Sequence, residues 1–479
     1  MKKKIYIVYI AVFMLLCCIP MAVKPFAGSG KQIGNEKENP FPSLWTENGL
    51  NTGFSGECDA WFSKENPLRV PLINAENTLR LTVMKSDSNG VIQGKNGWLF
   101  SEETVADYLG QSLSRRSLYR AAKTVSLTQQ AAQQLGSSFL FTVTPNKNTL
   151  YPQYMPDRFI KGKSNNLSVL EGYLAQLGVN YLDMKEALPA QQQQLYLRDD
   201  THWNNLGALY GANALLGALG KAHNNGEGAS YQVKKDWTGD LTKMAFPESG
   251  RKCSQYYFDY ATDFTFMQPH GKDSAALLEE MMGDSEKRDG LIRTNNPNAQ
   301  GSLYLLRDSF GRAMLPYFIN SYQRTNITRY YPASFKSGYD DIVWQVVERN
   351  IGNILNTAPY LDALPCEPVQ AENVLTSDRN TVKVDDSVAG VLKICGTVDE
   401  RMLTDESNLF VLLRSDSETR CYEAFPVYEA ETLGGADRDN GFSLTLNTGE
   451  LPKGSYELCV VTDGKNAART QTLDKIEKR

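Results

Sequence analysis

Leu303-Tyr304-Leu305-Leu306-Arg307-Asp308-Ser309-Phe310-Gly311 reads as an apolar strand, a sharp turn and the start of a helix whose next apolar positions are Met314, Leu315 and Phe318. A short buried strand that runs straight into a helix is the repeating unit of a parallel sheet, so this stretch makes the chain an α/β protein. It also sets Ser309 at a strand's exposed end and at a helix N-terminus, where backbone N–H groups point at negative charge developing on a bound carbonyl. A serine hydroxyl is a weak nucleophile at neutral pH, so chemistry there requires a base and a group that orients the base. Without those partners Ser309 is only a helix cap.

The chain holds three histidines from which to draw that base. His223 lies in the polar run Lys221-Ala222-His223-Asn224-Asn225, and His270 in the turn-like run Met267-Gln268-Pro269-His270-Gly271. His202, in Arg198-Asp199-Asp200-Thr201-His202-Trp203-Asn204, has carboxylates two and three residues before it and opens a helix. Either Asp200 or Asp199 can orient the ring from such a loop, and spacing does not choose between them. The expectation is that folding joins the two distant stretches as an Asp-His-Ser catalytic set.

Around them, strand and helix patterns alternate. Val91 to Phe100 reads as a hairpin turning at Asn96-Gly97. Arg115 to Leu135 reads as a helix ended by Gly136, followed by the strand Phe139 to Val143; a second pair runs Leu167 to Leu177 and Val179 to Leu182. Leu206 to Leu219 is a helix rich in small residues. The stretch 223–298 reads as an irregular insertion near the site. Asn326 to Tyr331 reads as a strand, and 340–355 as a last helix with an Ile342, Val343, Val346, Val347, Ile351 and Ile354 stripe. On that helix Glu348 and Arg349 read as solvated charges, and Arg307 and Arg312 as solvated residues able to attract an anion. Tyr330, Tyr331 and Asn146, near strand ends, are candidate oxyanion or substrate contacts.

The fold class is therefore a mainly parallel sheet with helices on both faces. Beyond 358–368 short strand-like runs separated by turns, Asn440-Gly441 and Asp463-Gly464 among them, predict a C-terminal all-β sandwich, structural or carbohydrate-binding. The expected division is 1–25 signal anchor or signal peptide, 26–83 linker and wrapping segment, 84–360 catalytic domain and 366–479 sandwich.

The chain has 479 residues and a net charge of -5, with no basic, aromatic-interleaved patch, which excludes nucleic acid as the expected partner. Lys2-Lys3-Lys4 precedes an apolar run from Ile5 to Val23, long enough for an export signal or an uncleaved anchor, so the body is expected outside the cytoplasm, membrane-anchored through this segment or secreted. Six of the eight cysteines lie beyond that run, Cys58, Cys253, Cys366, Cys395, Cys421 and Cys459, which permits up to three disulfides of open connectivity. Their wide spacing contains no Cys-x-x-Cys, so a zinc site is not expected, and the serine chemistry calls for no metal or cofactor.

Gly97-Trp98-Leu99-Phe100, Pro145-Asn146-Lys147 with Tyr151-Pro152, Asp200-Thr201-His202-Trp203 and Asp308-Ser309-Phe310 occur in an order that resembles the SGNH-hydrolase-like proteins of alginate O-acetylation, the AlgX/AlgJ type, over roughly 41–355. That family sets its Asp-x-His pair before the serine, as here. The resemblance implies an SGNH-hydrolase-like fold with Ser309 as nucleophile, His202 as base and Asp200 as its partner, Asp199 being the runner-up. It implies an acetyl-enzyme that passes its acetyl group to a hydroxyl of an exopolysaccharide, and a membrane-bound O-acyltransferase that supplies the acetyl groups. An acetylesterase with the same residues and a catalytically silent scaffold of a polysaccharide-synthesis complex are the rival readings. The 223–298 stretch and the C-terminal region match nothing in the pattern, so the polymer's identity is not implied.

Overall fold

The computed structural model describes residues 40–479, apart from short stretches of which the longest are 222–230, 268–272, 283–289, 430–437 and 464–468, and scattered positions before residue 40. Eight of the nineteen positions of the apolar N-terminal run, 5–23, lie outside the described residues. Among those described, no helix is long and apolar enough to cross a membrane.

Val91–Gln93 (β1) and Leu99–Ser101 (β2) form the expected hairpin, with Asn96 and Gly97 both at positive φ in its loop. Helix Arg115–Gln134 (α1) is capped by Ser114, whose hydroxyl accepts the Ser117 N–H, and leads into strand Ser138–Thr144 (β3). Helix Asn166–Gln176 (α2) opens on an Asn165–Ser168 capping box and precedes strand Tyr181–Leu182 (β4). Helix Asn205–Ala218 (α3) follows the histidine stretch.

The 223–298 stretch is not irregular. It supplies a hairpin of Tyr231–Trp237 (β5) and Cys253–Phe258 (β6) around a short helix Asp240–Ala245 (α4), then two strands, Thr265–Phe266 (β7) and Leu291–Asn295 (β8). Strand Ser302–Leu306 (β9) precedes Ser309; helix Leu315–Ser321 (α5) and strands Arg324–Thr328 (β10) and Asp341–Val347 (β11) follow.

The central sheet has the order β4-β3-β11-β9-β10-β8-β7. It is parallel from β4 to β10 and antiparallel at β8 and β7. Alternate residues feed opposite cores: Phe139, Phe141, Tyr304, Leu306, Ile342 and Trp344 meet α1 and α2, whereas Leu140, Leu303, Leu305, Val343 and Val347 meet α3 and α5. Helices thus cover both faces, as expected. The predicted last helix is overturned: 341–347 is the buried central strand β11 and only Glu348–Leu355 is helical, as a 3₁₀ segment. Its β-branched run is buried on both faces, so it lacks the alternation that marks a half-exposed strand.

In the C-terminal region, Leu364–Cys366 (β12), Thr381–Asp385 (β13), Val391–Thr397 (β14), Leu409–Arg414 (β15), Thr419–Glu423 (β16), Phe425–Val427 (β17), Gly441–Asn447 (β18), Gly454–Thr462 (β19) and Arg469–Lys478 (β20) build two sheets. The six-stranded sheet contains β12, β16, β15, β19 and β20 together with Asn373–Val374; the other has the order β13-β14-β18-β17. Leu392, Ile394, Phe442 and Leu444 of one face Val411, Leu413, Leu458 and Val460 of the other, which makes the sandwich core. Helix α1 joins the two regions: Arg116 pairs with Asp439 at 2.5 Å, Lys123 with Glu423 at 2.5 Å, and Arg120 donates to the Gly441 carbonyl.

Candidate active site

The parallel pairing of β9 with β11 and β10 sets Ser309 at the carboxyl edge of the sheet's centre, where open α/β sheets hold their ligands. Asp308 fixes the turn: its carboxylate accepts the Phe310 N–H at 2.9 Å and the Val347 N–H at 2.5 Å. Gly311 is required for a close approach, because a Cβ there would sit 2.7 Å from the Arg307 side chain. Arg307 itself is fully buried, not solvated as its sequence setting suggests; its guanidinium donates to the Asp308 carbonyl at 3.0 Å. Arg312 lines the cavity.

Ser309 does not cap its helix. Its hydroxyl lies 2.8 Å from Nε2 of His202, and Nδ1 of that ring lies 2.8 Å from Oδ1 of Asp200. Three residues from two distant stretches are therefore continuous through hydrogen bonds. Trp203 strengthens the junction by donating its indole N–H to the Phe310 carbonyl at 3.0 Å. The other oxygen of Asp200 accepts from the Trp237 indole at 3.0 Å and from the Asp240 N–H at 3.1 Å. Burial pushes the Asp200 carboxyl up, but the His202 ring, its charge and the Trp237 indole outweigh that and hold it well below the usual carboxylate range.

Asp199, the alternative partner, points elsewhere: Arg251 grips both of its oxygens at 2.7 and 3.1 Å. Lys147 pins the same loop from behind, donating to the carbonyls of Leu197, Arg198 and Asp200 at 3.1, 3.1 and 2.6 Å. Burial pulls its pKa down to about 8 even with three aspartates near.

The three accessory candidates do not line the serine's cavity. Strand β10 ends at Thr328, short of Tyr330 and Tyr331. Tyr330 is exposed beside Gly290, and the Tyr331 hydroxyl accepts from Trp344 at 3.3 Å. Asn146 is buried, its N–H on Glu348 at 2.6 Å. Glu348 is buried too, against expectation; burial and the neighbouring Asp107 raise its pKa to about 8.

The cavity beside Ser309 has a volume of about 130 Å³, with Trp237, Asp240, Gln255, Met282 and Arg312 in its wall. Four of these five come from 223–298, a contribution that sequence reading missed because nothing local marks it. Asp200, His202 and Asp240 are also near enough to share a cation, within 4.8 Å of one another. Their contacts are hydrogen bonds from a ring and backbone N–H groups to carboxylates, which is the geometry of an oriented imidazole. His223 and His270 lie outside the described residues.

Residues 91–284 match the family described as SGNH hydrolase-like domain, acetyltransferase AlgX. The match ends before Ser309, which the geometry above joins to it. Curated relatives include the protein named "Probable alginate O-acetylase AlgJ" of Pseudomonas syringae pv. tomato, 25% identical over 257 residues, covering 50% of this chain and 61% of the relative. Its namesake in Pseudomonas aeruginosa is 27% identical over 181 residues, covering 36% and 44%. The chain thus spans less than two thirds of either relative. The structure of Bacillus cereus PatB1 aligns over 55% of this chain and 96% of its own, at 14% identity and a TM-score of 0.43, too low for the likeness to bear weight. Over residues 91–284 the chain is thus similar to the AlgX/AlgJ-type, SGNH hydrolase-like acetyltransferases.

Proposed function

We propose that this chain is an extracytoplasmic O-acetyltransferase that moves acetyl groups onto hydroxyls of an exopolysaccharide or cell-surface glycan. The observation that carries the reading is the unbroken Asp200–His202–Ser309 relay, with both of its ring contacts at 2.8 Å. In the first half-reaction His202 takes the Ser309 proton as the hydroxyl oxygen attacks the acetyl carbonyl, and then returns it to the leaving group. In the second, the same ring takes the proton of a sugar hydroxyl, whose oxygen attacks the acetyl-enzyme and frees Ser309. Asp200 holds the ring's tautomer and balances its charge in each passage. The small cavity suits a two-carbon acyl group better than a sugar, so the acceptor approaches from its mouth.

The names of the curated relatives support acetylation of a polysaccharide such as alginate. The donor on this reading is a membrane-bound O-acyltransferase that passes acetyl groups outward, and the Lys-rich, apolar N-terminus tethers the body to the membrane. The proposed division keeps 84–360 as the catalytic body and 366–479 as a sandwich that steadies it or contacts glycan.

The purified protein, given a chromogenic acetyl ester with and without acceptor oligosaccharides, tests this beside Ser309→Ala. Acetylated acceptor that disappears with Ser309 supports transfer. Acetate release indifferent to acceptors points to an esterase, and no Ser309-dependent turnover points to a scaffold.

A further inference from the structure

The relay does not end at Asp200. Asp240, on the turn that opens α4, directs Oδ2 to within 3.4 Å of His202 Nδ1. It is held there from two sides: its carboxylate accepts the Thr201 N–H at 2.7 Å and the Thr201 hydroxyl, while its own N–H donates to Asp200. Thr201 Oγ1 in turn stands 3.2 Å from Nδ1. Gly239 permits this docking, because a Cβ there would meet the Asp199 carbonyl at 2.0 Å. Two carboxylates from separate parts of the chain therefore flank one ring nitrogen, and no sequence spacing announces the second.

We propose that Asp240 is a positioning residue for His202, clamping the proton on the Nδ1 side of the ring and so setting the pH at which the ring can act as a base. This rests on the catalytic reading of His202, but its geometry does not. Burial pulls the ring's pKa down; hydrogen bonds and charge from Asp200 and Asp240 overcome that and carry it up to about 9. The other charged groups nearby do not offset them. Asp199 is taken up by Arg251, Lys147 lies behind Asp200 on backbone carbonyls, Cys253 is a thiol pushed up to about 12 by burial, and Arg312 stands in the cavity wall. A pKa raised in this way favours the protonated ring at neutral pH. The site is accordingly restrained at neutral pH and gains its base as pH rises.

Asp240→Asn in the full chain keeps the shape and removes the charge. The His202 ring, assigned in the NMR spectrum by its loss in His202→Gln, is expected to titrate roughly one pH unit lower in Asp240→Asn. Labelling of Ser309 by a sulfonyl fluoride is expected to be roughly tenfold faster at pH 7, its rising limb moved down by the same interval. Asp240→Glu is expected to return both toward the parent. An unmoved titration and an unmoved limb in folded Asp240→Asn overturn the proposal. If that variant does not fold, Thr201→Val, which removes one anchor of Asp240, gives a smaller movement in the same direction, and none if the proposal is wrong. Absence of Ser309 labelling in every variant, with the ring titration still displaced, sinks the catalytic reading and leaves this one standing.

Discussion

The Trp203 indole N–H donates to the Phe310 carbonyl at 3.0 Å, tying the residue after the histidine to the residue after the serine. Both partners are buried, and the Phe310 ring stands 4.8 Å from the imidazole. Trp203→Phe keeps the bulk and leaves that carbonyl without its donor, a loss of about 1–2 kcal/mol of stability. We expect Ser309 labelling to slow by roughly tenfold or more, because a small misplacement of the base costs rate steeply. Labelling at the parent rate would mean that the β9 turn alone holds the serine.

Asp200 and Asp199 invite a direct contrast. Asp200→Asn can retain its contacts with Trp237 and the Asp240 N–H yet loses the charge that steadies the imidazolium, so turnover is expected to fall by about 10⁴ along with some loss of stability. Asp199→Asn leaves the relay intact and frees Arg251, so it is expected to lower stability and leave turnover within a fewfold. Turnover of the two variants on acetyl ester, read beside thermal melts, decides it; equal loss in both would contradict the assignment.

Those two aspartates also mark where sequence reading stops. The strand, turn and helix at Ser309 were legible because Leu303 to Leu306 is short, apolar and followed by helical spacing, and the histidine followed from context among three. The choice between Asp199 and Asp200 was not, since it is made by Arg251 in one case and by Trp237 and Asp240 in the other, residues that reach the loop only through the β5–β6 hairpin. The same holds for Glu348 and Arg307, charged residues whose burial depends on partners far along the chain. Strand β11 was misread for a local reason: Ile342, Val343, Val346 and Val347 satisfy a helical stripe as well as a doubly buried strand.

Glu348 gives a stability prediction with a definite sign. Its carboxyl accepts from the Asn146 N–H, the Thr149 hydroxyl and Asn165, and it lies against Asp107, whose pKa burial also raises. A folded pKa raised to about 8, above the unfolded value, means that the native state binds the extra proton. The associated stability is complete below the unfolded pKa, and it is lost as pH rises from there through about 8. Denaturant melts at pH 5 and pH 8 are expected to differ by about 1–3 kcal/mol from this pair, with the protein weaker at pH 8. Glu348→Gln is expected to shrink that difference; melts in which the variant keeps the full difference would assign it to other groups.

Cys366 and Cys421 stand directly opposite each other on antiparallel β12 and β16, with their sulfurs 3.0 Å apart. Both are thiols here, and the Cys366 S–H holds the Cys421 thiol down to about 7, which favours the thiolate that attacks a disulfide oxidant. Cys459 is separated from Cys421 by Leu412 of the intervening β15, two strand spacings or about 9.6 Å away, which is beyond bridging distance. We therefore expect oxidised glutathione to join Cys366 to Cys421 in the full chain, each sulfur losing a proton while the glutathione disulfide takes the two electrons and leaves as two thiols. The bond would staple the edge strand that follows the catalytic body, closing a span of 55 positions and adding on the order of 4 kcal/mol. Peptide mapping after alkylation, with and without reductant, identifies the pair. A melt that falls on reduction in the parent but not in Cys366→Ser supports it, whereas alkylation of both thiols after oxidation, or a bond to Cys459, would refute the pairing.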